Sequence, residues 1–303
     1  MNRPLAYPLR ARPVPALPVA QVVLGKPVEE VAALLPRLFN LCRVAQGVAV
    51  RAALGLELAT GWQEALRREI LREHVAKLCL KWPALMSRPA VPLPRDWTHD
   101  AQAARLALFG AGAGLPHDVQ GLAGFMAQSH GVAPVLRAID QLFQPAEGCR
   151  AALPFASART VFDPTAQENS VATRRAGHPV LHHVATTHGR GPLWSALAVA
   201  YELDALLAGD DAPRLWHAPG MAVVTAARGL YGIRAEVENG HVAAFRRLTP
   251  TDHLTAPGGA LDQSLASLPA TRAQALAPLL LSILDPCYPV SLEPVQPGEP
   301  DHA

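Results

Sequence analysis

Between residues 61 and 81 the apolar positions Trp62, Leu66, Ile70 and Leu78, with Trp82 just beyond, recur in steps of four. That spacing predicts an amphipathic helix with one buried stripe. His74 falls on the same stripe, where a lone histidine is more often a hydrogen-bonded core residue than a ligand, and Cys79 flanks it as packing. Upstream, residues 19–24 form a β-branched run that predicts a strand. Val28, Val31, Leu34 and Leu35 then give a helical face after Pro27. Pro36 is expected to kink or restart that helix, so a second helix should begin near Cys42 and run through Val48, Leu54 and Leu58. Prolines 83, 89, 92 and 94 predict a stop after the amphipathic helix. Further helices are expected over 100–109, 118–127, 132–143, 194–207 and 271–284, and a short one opening in the segment 168–174. Residues 221–224 read as a strand, and 230–238 with 241–248 as a hairpin closed by Asn239-Gly240.

These elements predict an α+β fold: a helix-rich single domain with a small antiparallel sheet or hairpin. Five prolines mark residues 1–18 as a lead, 19–293 form the domain, and the polar stretch 294–303 is expected to be a flexible tail. With 303 residues, half of them hydrophobic, a large core is available. A net charge of +2 without a Lys/Arg cluster, and 5% aromatic residues, argue against nucleic-acid binding. The prolines interrupt any signal-peptide core, and no apolar run approaches the ~20 residues of a membrane helix, so no membrane insertion is expected. Four cysteines are too few for a disulfide framework and suit a reducing compartment, which makes the cytoplasm the expected location.

The candidate chemistry lies at opposite ends of the domain. Cys42 stands in an apolar, helix-prone segment, and Cys287 follows Asp285-Pro286, which imposes an extended or turn geometry. On propensity alone each is more often a buried structural thiol than a ligand. A thiol in the first turns of a helix is expected to have a lowered pKa, because the free N–H groups there favour the thiolate. Cys149 has no partner in its loop. His178, His182, His183 and His188 cluster, and His178 with His182 at i,i+4 could hold zinc. Pro179 between them and the lack of a nearby cysteine argue against it. The glycines of residues 110–116 lack the context of a phosphate cradle, and no Gly-x-Ser-x-Gly elbow occurs.

Residues 37–46, Arg-Leu-Phe-Asn-Leu-Cys-Arg-Val-Ala-Gln, resemble the Arg-Ile-Cys-Gly-Ile-Cys-x-Val-x-Gln/His motif of nickel-iron hydrogenase large subunits, with Phe39 in place of the first cysteine. Residues 285–290, Asp-Pro-Cys-Tyr-Pro-Val, resemble the closing Asp-Pro-Cys-x-x-Cys, with Val290 in place of the last. Arg228-Gly229 before the hairpin and Pro250-Thr251 after it resemble the elements that flank the iron site. Residues 168–174 loosely resemble a Glu-x-Gly-x-Leu-Ala-Arg segment. One cysteine surviving from each pair is the pattern of the HupK/HoxV type of hydrogenase expression/formation (assembly) protein, a degenerate, non-catalytic relative.

That resemblance implies a shortened large-subunit fold, in which Cys42 matches a bridging ligand and Cys287 a nickel-only ligand. With Phe39 and Val290 unable to ligate, no complete nickel site is expected. It implies instead that an Fe(CN)2CO fragment is held transiently between Cys42 and Cys287, with Arg228 donating to a cyanide and Thr251 offering its hydroxyl or N–H. The implied partners are HypC- and HypD-like maturation proteins and the large-subunit precursor. Residues 11–24 contain no glutamate to match the family's proton relay, and Glu293 stands where a precursor carries its processing histidine or arginine. Hydrogen turnover is therefore not expected. The alternative is a chaperone that binds no metal and recruits maturation factors by mimicking the large subunit.

Overall fold

The computed structural model describes residues 9–13, 17–39, 41–112 and 114–295. Strand β1 (Leu9–Pro13) precedes helices α1 (Val19–Val23), α2 (Val28–Leu38) and α3 (Arg43–Ala53). A long helical rod follows, made of α4 (Trp62–Val75), a π-turn (Ala76–Lys81) and α5 (Trp82–Leu85). Helices α6 (Ala101–Phe109), α7 (Val119–Met126) and α8 (Ala133–Leu142) lead to α9 (Val171–Arg175), α10 (Pro179–Thr187) and α11 (Pro192–Ala208). The sheet β2 (Leu215–Ala218), β3 (Met221–Ala226), β4 (Gly229–Glu238) and β5 (His241–Leu248) comes next. Helices α12 (Pro250–Leu254), α13 (Ala260–Ala266) and α14 (Ala270–Leu284) and strand β6 (Val290–Pro294) complete the described chain. This is the helix-rich α+β class that the pattern predicts.

Helix α11 is apolar on all sides, and every residue except Ala205 and Ala208 is buried, which makes it the central helix of the bundle. It packs on α4, α6, α8, α9, α10 and α14. Its acids are neutralised by neighbours. Asp204 accepts from Arg105 Nε and from the Leu115 N–H, both at 2.8 Å. Glu202 accepts from His74 Nε2 at 2.7 Å and, on both oxygens, from Arg174. His74 is thus the hydrogen-bonded core histidine expected on the α4 stripe.

The four-stranded sheet has the order β2-β3-β4-β5 and is antiparallel throughout. Asn239 and Gly240 both adopt positive φ, 49° and 77°, as the tight turn between β4 and β5 requires. Strand β3 is buried on both faces: Ala222, Val224 and Ala226 join the main core, to which α3 belongs, and Val223 packs with Phe162 and Leu248 in a second cluster.

Several local expectations are overturned. Residues 19–24 form α1 and not a strand: Val19 and Val23, one turn apart, are both buried, and α1 rests on β5. Tertiary burial at helical spacing overrides β-branched propensity there. Helix α2 runs through Pro36 to Leu38 and α3 ends at Ala53, short of the predicted Leu58. Pro83 does not stop the rod, because it lies in the first turn of α5. Strand β1, within the proline-rich lead, pairs with β6 from Leu9↔Pro294 to Pro13↔Val290, a contact with no local signal. The tail beyond residue 295 lies outside the described residues. Among those described, no helix is long and apolar enough to cross a membrane.

The His74–Glu202–Arg174 cluster makes acid sensitivity a property of the core. Burial, reinforced by the Lys77 and Arg174 charges, pushes His74 below the usual histidine value. Burial alone would raise Glu202, but the Arg174 guanidinium overrides it and holds the carboxyl well below the carboxylate range. Both groups bind protons more readily unfolded than folded, so stability falls as pH drops through the ordinary histidine range and again below the ordinary carboxylate range. Urea midpoints measured from pH 8 to pH 2.5 should show both steps, and His74→Gln should shrink the upper one, to which the likewise lowered His178 and His253 also contribute. Glu202→Ala, which leaves a buried guanidinium unpaired, should cost about 3–5 kcal/mol at pH 8.

Candidate functional site

Cys42 is the residue before α3 and adopts a left-handed backbone (φ 52°, ψ 41°), a conformation that is uncommon outside glycine. The expected lowering of its pKa does not occur. The first free N–H groups of α3, those of Val44 and Ala45, donate to the Glu69 carboxylate at 2.8 and 3.1 Å. Glu69, not the sulfur, therefore caps the helix. Burial pushes the Cys42 thiol up to about 11, although Arg228 pulls in the other direction. Gln46, one turn into α3, ties the preceding loop down through Nε2 to the Leu41 carbonyl at 2.7 Å.

At the other end of the domain, α14 terminates at Asp285, also left-handed (φ 54°, ψ 59°). The chain then turns through Pro286 to Cys287. The Cys287 N–H donates to Thr251 Oγ1 at 2.7 Å, and its sulfur lies 3.7 Å from Thr249 Oγ1. Thr249 caps α12 with Asp252, so a short, firmly capped helix carries both threonines to Cys287. The hydroxyl of Thr251 is thus engaged in holding the Cys287 backbone.

Arg228 joins the two ends. It occupies the second position of the two-residue link between β3 and β4, and its side chain is 3% exposed. Gly229, at φ 156°, follows because a Cβ there would lie 2.5 Å from the Asn169 carbonyl oxygen. Asn169 in turn brackets Leu230, accepting from its N–H at 2.7 Å and donating to its carbonyl at 3.0 Å. So anchored, Arg228 donates from Nη1 to Cys42 Sγ at 3.3 Å and from Nη2 to Glu73 at 3.1 Å and Asp285 at 3.2 Å. Lys77 Nζ reaches the same Asp285 at 2.7 Å. Burial would raise Asp285, yet Lys77 and then Arg228 hold it below the carboxylate range.

Cys42, Cys287 and Arg228 line one pocket of about 60 Å³, together with Phe39, Arg247 and Thr249. That volume holds a few water-sized groups. Among the described residues its lining carries two thiols and two guanidiniums but no carboxylate. Arg247, which the sequence reading missed, lies 4.2 Å above the Phe39 ring in a cation-π contact. Phe39 therefore faces the pocket. Val290 does not line it; it pairs with Pro13 in the terminal sheet. Thr251 lines a second, smaller cavity behind Arg228, so the hydroxyl that faces the thiols is that of Thr249.

Glu69, Glu73 and Lys77 were also missed. They stand at i, i+4 and i+8 along α4 and the π-turn, a charged line beside an apolar stripe. That spacing is the one sequence signal that could have found them. The remaining candidates have structural roles. Cys79 is buried. The Cys149 sulfur donates to the His188 carbonyl at 3.3 Å. His178 caps α10 by accepting from the Val180 N–H and stacks on His117 and Tyr201. No group of three or more His, Cys, Asp or Glu side chains that could hold a metal ion occurs among the described residues.

The fold is that of a nickel-iron hydrogenase large subunit. It superposes on the Ni-Fe-Se hydrogenase of D. vulgaris Hildenborough in the reduced state with a TM-score of 0.54, at 13% identity, over 92% of this chain and 95% of that one. The as-isolated oxidised state of the same enzyme gives 0.53. No family model matches the sequence. Over 284 residues, 93% of this chain and 91% of the relative, it is 46% identical to the hydrogenase expression/formation protein HupK of Rhodobacter capsulatus. The chain belongs to the HupK family of hydrogenase expression/formation proteins, accessory factors rather than catalysts.

Thr251→Val should remove the acceptor of a part-buried N–H and cost about 1–3 kcal/mol in urea unfolding. Thr249→Val loses a weak S–H contact to Cys287 and a cap on α12, so its expected cost is about 1 kcal/mol. The opposite ranking would show that Cys287 is held some other way.

Proposed function

We propose that this protein is an assembly carrier that holds an Fe(CN)2CO fragment between Cys42 and Cys287 and passes it to a hydrogenase large-subunit precursor. The observation that carries this reading is the pocket itself: two thiols from opposite ends of the chain, two guanidiniums and, among the described residues, no carboxylate. Ferrous iron with two cyanides, one carbonyl and two thiolates is doubly negative overall. Each thiol gives its proton to solvent as its sulfur binds iron. The cyanide nitrogens accept hydrogen bonds, and Arg228 and Arg247 are the donors that suit them. Soft thiolates suit iron, and two of them fill the positions left by three diatomic ligands in a five-coordinate fragment.

A carrier must bind its cargo less tightly than the acceptor does. Phe39 supplies an apolar face where the resembling motif has a third thiol, which weakens the hold. Thr251 acts as a positioning residue, fixing the Cys287 backbone, and Thr249 faces the cargo. HypC- and HypD-like proteins are the proposed donors of the fragment, and the cytoplasm the proposed site of exchange.

One observation favours the alternative chaperone. Cys42 is already hydrogen-bonded by Arg228, and Arg247 already rests on Phe39, so the pocket is internally satisfied without cargo. Infrared spectra of protein purified anaerobically with its maturation machinery separate the two. The carrier requires cyanide and carbonyl bands that disappear in both Cys42→Ser and Cys287→Ser. No bands in the wild type, alongside normal hydrogenase formation, would leave only the chaperone.

Substitutions beside the ligands should then tune release. Phe39→Cys, which adds a third thiol to the lining, should retain more iron and reduce mature hydrogenase in the cell. Each ~1.4 kcal/mol gained on the carrier shifts the partition about tenfold. Val290→Cys, outside the lining, should leave both quantities close to wild type. Equal iron retention by Phe39→Cys and wild type would place the cargo elsewhere.

A further inference from the structure

On the opposite face of β3 from the thiols lies a separate cavity of about 500 Å³. The alternation of the strand divides the two spaces: Thr225 lines this cavity, and Ala226 lines the thiol pocket. Three guanidiniums converge on it, from Arg159, Arg174 and Arg214, with the indole of Trp216, 38% exposed, beside them.

The charge in this cavity is unbalanced. Its two carboxylates are already taken, Glu202 by His74 and Arg174 and Asp211 by Arg175. Arg159 and Arg214 are exposed, and neither makes an ion pair with another described residue. Arg174 uses Nε and Nη2 on Glu202 and the Ala226 carbonyl, which leaves its Nη1 buried without a partner. Arg214 is fixed at its backbone, where its N–H donates to Thr225 Oγ1 at 3.1 Å just before β2. The site therefore offers planar guanidinium forks around a void, a flat aromatic surface at its side and no free carboxylate.

We propose that this cavity binds a small phosphorylated organic compound. Its phosphate lies between the exposed guanidiniums of Arg159 and Arg214, with Arg174 in the cavity wall, and its body rests on Trp216. Guanidinium forks match phosphate oxygens in pairs, which a point-charge ammonium cannot do. The volume admits a ligand of nucleotide size, far larger than the thiol pocket could take. Arg174 donates to the carbonyl of Ala226, two residues before Arg228, so this side chain links the cavity wall to the segment that carries the thiol-site arginine. This inference is independent of whether the thiol pocket carries iron.

Calorimetric titration of the full-length protein at low salt, with AMP and with inorganic phosphate in parallel, tests it. AMP should bind saturably and about tenfold more tightly than phosphate, and the exposed-side-chain variants Arg159→Ala and Arg214→Ala should each weaken AMP about tenfold. Arg214→Lys should recover only part of that loss, and Trp216→Ala should bring AMP down to the affinity of phosphate. Circular dichroism confirms that each variant is folded. No saturable AMP binding at millimolar ligand would overturn the proposal, as would wild-type affinity in the Arg159→Ala/Arg214→Ala double variant. Equal affinity for AMP and phosphate in the wild type would remove the organic ligand and the role of Trp216.

Discussion

The buried guanidinium of Arg228 is the constraint on which the site depends. It bonds to Cys42 from the start of α3, Glu73 from α4 and Asp285 from the end of α14. A charge this deeply buried persists only when fully paired, and removing one partner would strand the others. The cluster consequently fixes the relative positions of segments separated by more than half of the sequence. A well-packed apolar set can often replace a buried ionic cluster at similar free energy, so its presence is not by itself a sign of added stability.

Local backbone features serve the same arrangement. Cys42 and Asp285 are both left-handed, one in each cysteine segment, and such residues persist where the surroundings over-determine them. Gly229 leaves room for Asn169 to approach and so aims the neighbouring arginine inward. The π-turn after α4 lies where Lys77 must reach both Asp285 and the Ala227 carbonyl. Interruptions of this kind in α-helices often mark functional positions.

The pocket sets two thiols beside the guanidiniums of Arg228 and Arg247, with Phe39, under Arg247, as an apolar wall. The chain belongs to a family of hydrogenase expression/formation proteins. The larger cavity across β3 is chemically distinct, rich in guanidiniums and free of thiols.

Much of the fold was legible in the sequence, because helical periodicity and turn chemistry are local. The α4 stripe, the buried His74, the β4–β5 hairpin at Asn239-Gly240 and α14 leading into Asp285-Pro286-Cys287 all follow from spacing alone. Cys42, Cys287 and Arg228 were found through motif resemblance, and the structure brings them to one pocket. What local pattern could not supply is pairing between distant segments. Residues 19–24 are β-branched yet helical, because burial against β5 decides. Strand β1 exists only through β6. The Cys42 pKa is raised, not lowered, because Glu69 takes the helix N–H groups and burial dominates. Arg247, Glu73 and Lys77 belong to the site because long-range folding points them there. Charge in a buried cluster is a property of the assembled neighbours, and only the tertiary structure determines those.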